Sequence, residues 1–181
     1  MWKCPNCGEK NRIDTELFLG VARKYGIIIT NKINKADILV INTCGFIQAA
    51  KEEAIETILE LAKLKEEGTI KKIVVTGCLA QRYKEEMAEE FKDEIDAVVG
   101  IGNNEDIIDI IDRVLANERV VEFKDKLSLK LTGKRIISTL PFFTYLKIAE
   151  GCSNCCSYCA IPMIRGKFRS VPMEDVLSEA K

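Results

Sequence analysis

The sequence of 181 residues contains no histidine, four prolines and a single tryptophan. Without histidine, any metal site that soft ligands build here would be all sulfur. No apolar run approaches the roughly 20 residues that span a bilayer, and residues 1–5 do not resemble a secretory signal. The sequence also has no excess of charge of either sign, because 27 basic and 28 acidic residues leave a net charge of −1. These absences predict a cytoplasmic protein without a membrane partner or an obvious nucleic-acid surface, with the mixed segment 126–135 as a solvated linker.

Cysteine is the residue type that the sequence has in unusual number, with eight in all. A cytoplasmic chain does not use them as a disulfide framework, because the cytosol keeps thiols reduced. Thiolate ligation of a soft metal centre is the alternative. The composition therefore favours iron–sulfur clusters or a four-cysteine zinc site, and the spacing of the cysteines has to decide between them.

Apolar segments of strand type alternate with amphipathic helices over the first two thirds of the chain. Strands are predicted over 36–42, 72–76 and 96–100, and helices over 13–25, 48–67, 81–91 and 104–115. This alternation predicts an α/β fold with a parallel sheet that helices cover on both faces.

We predict three regions from these patterns. Residues 1–117 form an N-terminal cluster-binding domain, residues 118–140 a polar linker with one or two short strands, and residues 141–181 the start of a second domain. In this last region a strand over 144–149 precedes a cysteine-rich loop, and a helix begins near Val171 with Pro172 in its first turn. The chain stops inside that helix, so we expect a truncated protein.

The densest chemical signal is the spacing Cys-x-x-x-Cys-x-x-Cys formed by Cys152, Cys156 and Cys159. Three thiolates on one short loop can hold three irons of a four-iron cluster, which leaves the fourth iron open for a small molecule. A structural cluster or zinc site would fill all four positions. The two abutting Cys-x-x-Cys pairs that include Cys155 keep a zinc site as an alternative, and Cys155 is otherwise a spare thiol.

Two further cysteines stand just beyond the carboxyl ends of predicted parallel strands. Cys44 follows the first predicted strand and Cys78 follows the second. In open α/β sheets such strand ends line the ligand crevice. With a third thiol from the N-terminus they would form another three-cysteine site. Spacing alone leaves open, and even favours, the reading that both are buried structural cysteines.

Five segments carry a resemblance to a known family that covers residues 10–181. They are Asn-Thr-Cys-Gly-Phe-Ile at 42–47, the helix 50–59 after it, Val-Thr-Gly-Cys-Leu-Ala-Gln-Arg-Tyr at 75–83, Lys-Asn-Arg-Ile-Asp-Thr-Glu at 10–16, and the stretch 150–166. Together they resemble the radical S-adenosylmethionine (SAM) methylthiotransferases. The Cys-Gly-Phe-Ile form is similar to the branch that modifies a ribosomal protein, whereas the tRNA-modifying branch more often has Ser-Val-Arg after that cysteine.

The resemblance implies a transferase with SAM and two [4Fe–4S] clusters. Cys152, Cys156 and Cys159 would hold the cluster whose open iron binds SAM and reductively cleaves it to a radical, with Tyr158 near the adenine. The radical would remove hydrogen from the β-carbon of an aspartate in small-subunit ribosomal protein twelve. The other cluster would supply sulfur, and a further SAM the methyl group.

For the sulfur-supplying cluster, the resemblance implies Cys44, Cys78 and an N-terminal cysteine as ligands. Cys7 is the candidate for the third position, with Cys4 as its competitor. A reductant such as flavodoxin or ferredoxin is the implied partner, and tRNA is the substrate under the rival reading. The fold implied is an N-terminal methylthiotransferase domain followed by the first β-α unit of a radical SAM partial TIM barrel.

The sequence departs from the family at both ends. The first strand is missing, and Cys7 lies one residue too far from Lys10-Asn11, as a misassigned start or a frame error would produce. The sequence Cys-Pro-Asn-Cys-Gly at 4–8 resembles half of a zinc knuckle, so a non-catalytic zinc-binding module stays as an alternative. Only the opening of the radical domain is present, and we expect these residues to be inactive alone. Arg165 and Lys167 are candidate anion contacts, although solvated loop charges are the favoured interpretation.

Overall fold

A computed structural model describes residues 9–181, so the predictions made for Cys4 and Cys7 lie outside the described residues. The main feature is a four-stranded sheet in which every neighbouring pair is parallel, as predicted. Its strands, in spatial as in chain order, are β1 (Ile38–Thr43), β2 (Lys72–Gly77), β3 (Ala97–Val99) and β4 (Val120–Glu122). The sequence therefore predicted the α/β class correctly.

Helices cover both faces of this sheet. The helices of the described chain are α1 (Glu9–Lys24), α2 (Gln48–Glu66), α3 (Cys78–Arg82), α4 (Lys84–Glu90), α5 (Ile107–Leu115), α6 (Ile161–Arg165) and α7 (Met173–Ala180). Short 3-10 turns lie at Ile33–Lys35, Ile101–Asp106 and Lys126–Ser128.

The core has two layers because the strands are apolar on both sides. On one face, Ala54 and Ile58 of α2 pack with Ile41 and Val75. On the other face, Phe18 of α1 and several residues of α5 pack with strand side chains such as Val74. The helical periodicity of α2 and α5 thus places one apolar stripe of each helix against the sheet.

Three predicted helices differ from the structure. The helix predicted over 13–25 begins four residues earlier, at Glu9, and ends at Lys24. The helix predicted over 81–91 is two helices, α3 and α4, which are separated at Tyr83. The first of them begins earlier than predicted, at Cys78. The helix predicted over 104–115 begins as a 3-10 turn and becomes α-helical at Ile107. All three differences concern helix ends and breaks, which depend on packing more than on periodicity.

The region predicted as a linker contains a strand of the main sheet. β4 pairs with β3 in the register Ala97↔Val120, and Val120 is fully buried. One or two short strands were expected in this stretch. The division of the chain at residues 117 and 140 stays a prediction.

The last forty residues form a small unit beside α1 and α3. The strand predicted over 144–149 is wrong for residues 144–148: β5 is only Ala149–Glu150, and it pairs antiparallel with β6 (Arg169–Ser170). The helix predicted from Val171 begins at Met173, with Pro172 as its N-cap residue. Among residues 9–181, no helix has the length and apolar character needed to cross a membrane.

Candidate functional site

Cys44 and Cys78 lie at the same edge of the main sheet. β1 and β2 are adjacent and parallel, and their last residues are partners, Thr43↔Gly77. Each cysteine directly follows the last residue of its strand, so both thiols stand at the carboxyl edge of the sheet, as predicted. Both cysteines are buried. Burial raises the pKa of the Cys78 thiol, although the nearby Arg165 acts in the opposite direction. We call this pair the cysteine edge.

Glycines allow the two loops of the cysteine edge to touch. A β-carbon on Gly45 would lie only 2.7 Å from the Cα of Leu79 and 3.0 Å from the carbonyl oxygen of Cys78. Gly77 has a positive φ of 99°, and a β-carbon there would overlap the Thr43 backbone. These contacts hold the chain after β1 against the chain after β2, which the sequence pattern alone did not show.

The start of α1 reaches the same edge. The Nδ2 of Asn11 donates to the carbonyl oxygen of Thr43 at 3.2 Å, and the Cys78 thiol lies 3.8 Å from the Oδ1 of Asn11. Asn11 follows Cys7 by four residues in the sequence. Asn11 therefore lies beside the Cys78 thiol and the residue that precedes Cys44, while Cys7 itself is outside the described residues.

Cys152, Cys156 and Cys159 lie in the late cysteine loop, residues 151–160, between β5 and α6. The backbone N–H of Cys152 donates to Gly166 at 3.1 Å, and that of Cys159 donates to Cys156 at 3.0 Å. Cys156 is exposed, and Cys152 and Cys159 are half-buried. Tyr158 is 90% exposed. The loop thus presents its candidate ligands to solvent, where a cofactor can reach them.

The donor chemistry of the late cysteine loop fits an iron–sulfur cluster. In the part of the chain that the structure describes, no three Cys, Asp or Glu side chains come together as ligands of one metal ion. A cluster does not require that arrangement, because each thiolate binds a different iron. The three thiols of the late cysteine loop, close in sequence and accessible, satisfy the donor requirement.

A buried group of four charges connects the late cysteine loop to α1. The ion cluster comprises Asp14, Lys147, Glu150 and Arg165, which are between 0% and 4% exposed. Lys147 bridges the two carboxylates, at 2.5 Å to Asp14 and 2.8 Å to Glu150. Arg165 also lies against both, at 2.5 Å and 3.5 Å. Two positive and two negative charges balance, as a buried ionic group requires.

The pKa values within the ion cluster show that its charges support one another. Burial by itself raises the pKa of Asp14, but Arg165 and Lys147 outweigh burial and lower it. The pKa of Glu150 is lowered in the same way, against the effect of burial. Both carboxylates are therefore ionised at neutral pH, and α1 is held to the segment 147–165 by full charges.

The favoured interpretation of Arg165 as a solvated loop charge is wrong. Its guanidinium is buried, and besides the two carboxylates it donates to Asn11 at 2.9 Å and to the Sγ of Cys78 at 3.1 Å. The sequence reasoning also missed Asp14, Lys147 and Glu150. One available signal was that Asn11, Asp14 and Phe18 share a face of α1, which places polar groups on the side that packs inward.

Comparisons with known proteins show what this chain is similar to. The sequence model described as "Uncharacterized protein family UPF0004" matches residues 6–100. A protein of Lachnoclostridium phytofermentans named "Ribosomal protein uS12 methylthiotransferase RimO" is 49% identical to this chain over 96% of the chain. Proteins of the same name from Thermoanaerobacter sp. (strain X514) and Clostridioides difficile (strain 630) are 47% and 44% identical to this chain, each over 95% of the chain.

The chain spans 39% of the length of each of these three relatives. The resemblance to methylthiotransferases that the sequence motifs carried is confirmed by these matches. Since the family model covers more than half of the residues, including both members of the cysteine edge, the chain belongs to the Uncharacterized protein family UPF0004.

Proposed function

We propose that this chain is part of a radical SAM methylthiotransferase that adds a methylthio group to the β-carbon of an aspartate in ribosomal protein uS12. The names of the similar proteins support the activity and the substrate. The transferase is the function of the whole protein. Because residues 1–181 span 39% of those relatives, we expect no turnover from these residues alone.

One observation carries the proposal. Arg165 stands six residues after Cys159 and contacts Cys78 directly, so a buried contact joins the segment that carries the late cysteine loop to the cysteine edge. A reaction that combines radical formation with sulfur insertion needs its two metal centres near one substrate. Two unrelated cysteine sites would have no need for this connection.

The residues present suit two cofactor sites. Cys152, Cys156 and Cys159 would hold one [4Fe–4S] cluster, with Tyr158 beside the adenine of SAM. Cys44, Cys78 and Cys7, or Cys4 in its place, would hold the other. When bound, the clusters and SAM supply radical formation, sulfur and the methyl group.

The protein itself contributes positioning and exclusion of water. The cysteine edge is buried by the contact of two loops around Gly45 and Gly77, which protects sulfur that is to be transferred. The late cysteine loop is open, and its exposed Tyr158 is available for a planar ligand. The ion cluster fixes the position of one site relative to the other.

Three further features complete the proposal. The domains are residues 1–117 and 141–181 with a linker at 118–140, the reductant is a flavodoxin or ferredoxin, and the location is the cytoplasm. The names of the similar proteins, which refer to a ribosomal protein, support the last point. The sequence pattern supports the boundaries of the linker.

Anaerobic reconstitution with iron and sulfide tests the cofactor assignment. We expect a brown protein whose visible absorption changes when SAM is added. Replacement of Cys152, Cys156 and Cys159 by alanine should abolish the response to SAM while leaving part of the iron. A colourless protein that holds stoichiometric zinc would establish the non-catalytic zinc module instead and defeat the proposal.

The substrate is tested with the protein that carries this chain together with the remaining length found in its relatives. It is incubated with SAM and reductant, and either ribosomal protein uS12 or tRNA is supplied. Mass spectrometry should find a methylthio group on an aspartate of uS12 and none on tRNA. A methylthio group on tRNA alone would assign the protein to the other branch.

A further inference from the structure

Arg165 has two contacts that its ion pairs do not explain. Its Nη1 lies against Asp14 and Glu150, which accounts for its burial and its charge. Its Nη2 instead donates to the Oδ1 of Asn11 and to the Sγ of Cys78. A guanidinium can serve both sides because its donors are fixed in a planar fork.

A second buried arginine shows what a purely structural role looks like in this chain. The side chains of Arg135 and Arg165 are equally exposed, at 5%, and each pairs with a carboxylate of α1. The carboxylate partners of Arg135 are Glu16, at 3.1 Å, and Glu179 of α7, at 2.6 Å. Its other terminal nitrogen donates to the backbone oxygen of Tyr145 rather than to a thiol. Arg165 differs in directing that nitrogen at a cysteine.

On the basis of the proposed function, we propose that Arg165 is a positioning residue for the sulfur-supplying cluster. It hydrogen-bonds the Cys78 thiolate when that sulfur is bound to iron. Because it also holds Asp14 and Glu150, it fixes that cluster relative to the segment that bears the late cysteine loop.

The physical consequence is a change in the reduction potential of this cluster. Hydrogen bonds to the cluster sulfurs and nearby charge are among the features that set its potential. A donor with a positive charge favours the reduced, more negative state. Removing Arg165 should therefore make the midpoint potential more negative and weaken the retention of iron.

The test needs variants that do not leave a buried charge alone, since that would unfold the protein for an unrelated reason. Asp14→Asn with Arg165→Gln removes one charge of each sign and leaves Lys147 paired with Glu150. Glu16→Gln with Arg135→Gln and Glu179→Gln is the control, because it removes the other buried arginine together with both of its carboxylate partners, Glu16 on α1 and Glu179 on α7. Both are made in a background where Cys152, Cys156 and Cys159 are alanine, so that a single cluster is observed.

Iron and sulfide per chain are measured after anaerobic reconstitution, and the midpoint potential is taken from a redox titration followed by EPR. We expect a more negative potential, or loss of iron, for the Asp14/Arg165 variant and values close to the background protein for the control. Equal potentials and iron contents in the two variants would overturn the proposal for Arg165 and leave the proposed function intact. A background protein that binds zinc and no cluster would overturn both.

A conservative variant covers the case in which the double variant does not fold. Arg165→Lys keeps the charge, but a single ammonium cannot reach the carboxylates and the sulfur at once. Its circular dichroism spectrum checks the fold. Its midpoint potential should lie between that of the background protein and that of the Asp14/Arg165 variant. A folded Arg165→Lys variant with unchanged potential and iron content would contradict the proposal.

Discussion

Lys147 donates a 2.5 Å hydrogen bond to Asp14, which lies 133 residues earlier in the chain. Lys147 also forms an ion pair with Glu150, which lies three residues later in the chain. One ammonium therefore joins a helix of the main α/β unit to the strand that precedes the late cysteine loop. The bond is buried, and its loss would leave two carboxylates facing one guanidinium.

Replacing Lys147 by methionine should lower the free energy of unfolding by about 3–5 kcal/mol, because a buried charge loses its partner. Adding Glu150→Gln restores the charge balance and should recover much of that loss. Urea unfolding of the two single variants and the double variant gives the coupling energy. Lys71→Met, which removes an exposed pair with Asp37, is the control and should change little. Additive losses from Lys147→Met and Glu150→Gln would contradict the role of the ion cluster.

A side chain at Gly77 should destabilise the protein because the neighbouring atoms leave no room for a β-carbon. Gly77→Ala combines a left-handed backbone with overlap on the Asn42 side chain and the Thr43 backbone. It should cost about 3 kcal/mol or more in unfolding free energy. Gly68 has a similar φ of 76° but open space around it, so Gly68→Ala should cost only about 1 kcal/mol. Equal losses in urea unfolding would show that the close approach of the two loops is not required.

The stability of the main sheet should depend on pH through Asp96. This carboxylate accepts hydrogen bonds from Lys65, Lys72 and the N–H of Ile73. Although burial raises its pKa, these donors outweigh burial and lower it. A lowered pKa means that the stabilisation is complete above the unfolded-state pKa of about 3.9 and is lost as the pH falls through the folded-state value.

Asp96→Asn should therefore cost about 1–2 kcal/mol at pH 7, and its difference from the unsubstituted protein should shrink below about pH 4. Urea unfolding at a series of pH values measures this difference. Asp37 also pairs with a lysine and also has a lowered pKa, but it is exposed, and Asp37→Asn should have little effect at any pH. A constant penalty for Asp96→Asn across the pH range would rule out the ionised carboxylate as the cause.

The adjacent residues Cys155 and Cys156 should behave differently on reconstitution. Both are exposed, but only Cys156 belongs to the Cys-x-x-x-Cys-x-x-Cys spacing. Cys156→Ser should lose the iron of one cluster, whereas Cys155→Ser should retain the full content. Iron and sulfide analysis of the two variants decides this prediction. Equal iron loss would indicate a four-cysteine site that uses both Cys-x-x-Cys pairs.

The sequence by itself determined the fold class and the position of the cysteine edge. Alternating apolar strands and amphipathic helices predict a parallel sheet, and in such a sheet residues that follow neighbouring strands meet at one edge. Cys44 and Cys78 were predicted together on this ground alone, and the structure places them there. The grouping of Cys152, Cys156 and Cys159 in one loop followed from spacing, because the residues are near neighbours in the chain.

Only the tertiary structure decided the role of Arg165 and the existence of the ion cluster. Arg165 and Asp14 are 151 residues apart, and Arg165 and Cys78 are 87 apart. A local pattern can show that a residue is charged but not that a carboxylate from another element will meet it in the interior. Burial of a charge is favourable only where partners converge, and that convergence is set by how α1, the main sheet and the late cysteine loop pack together.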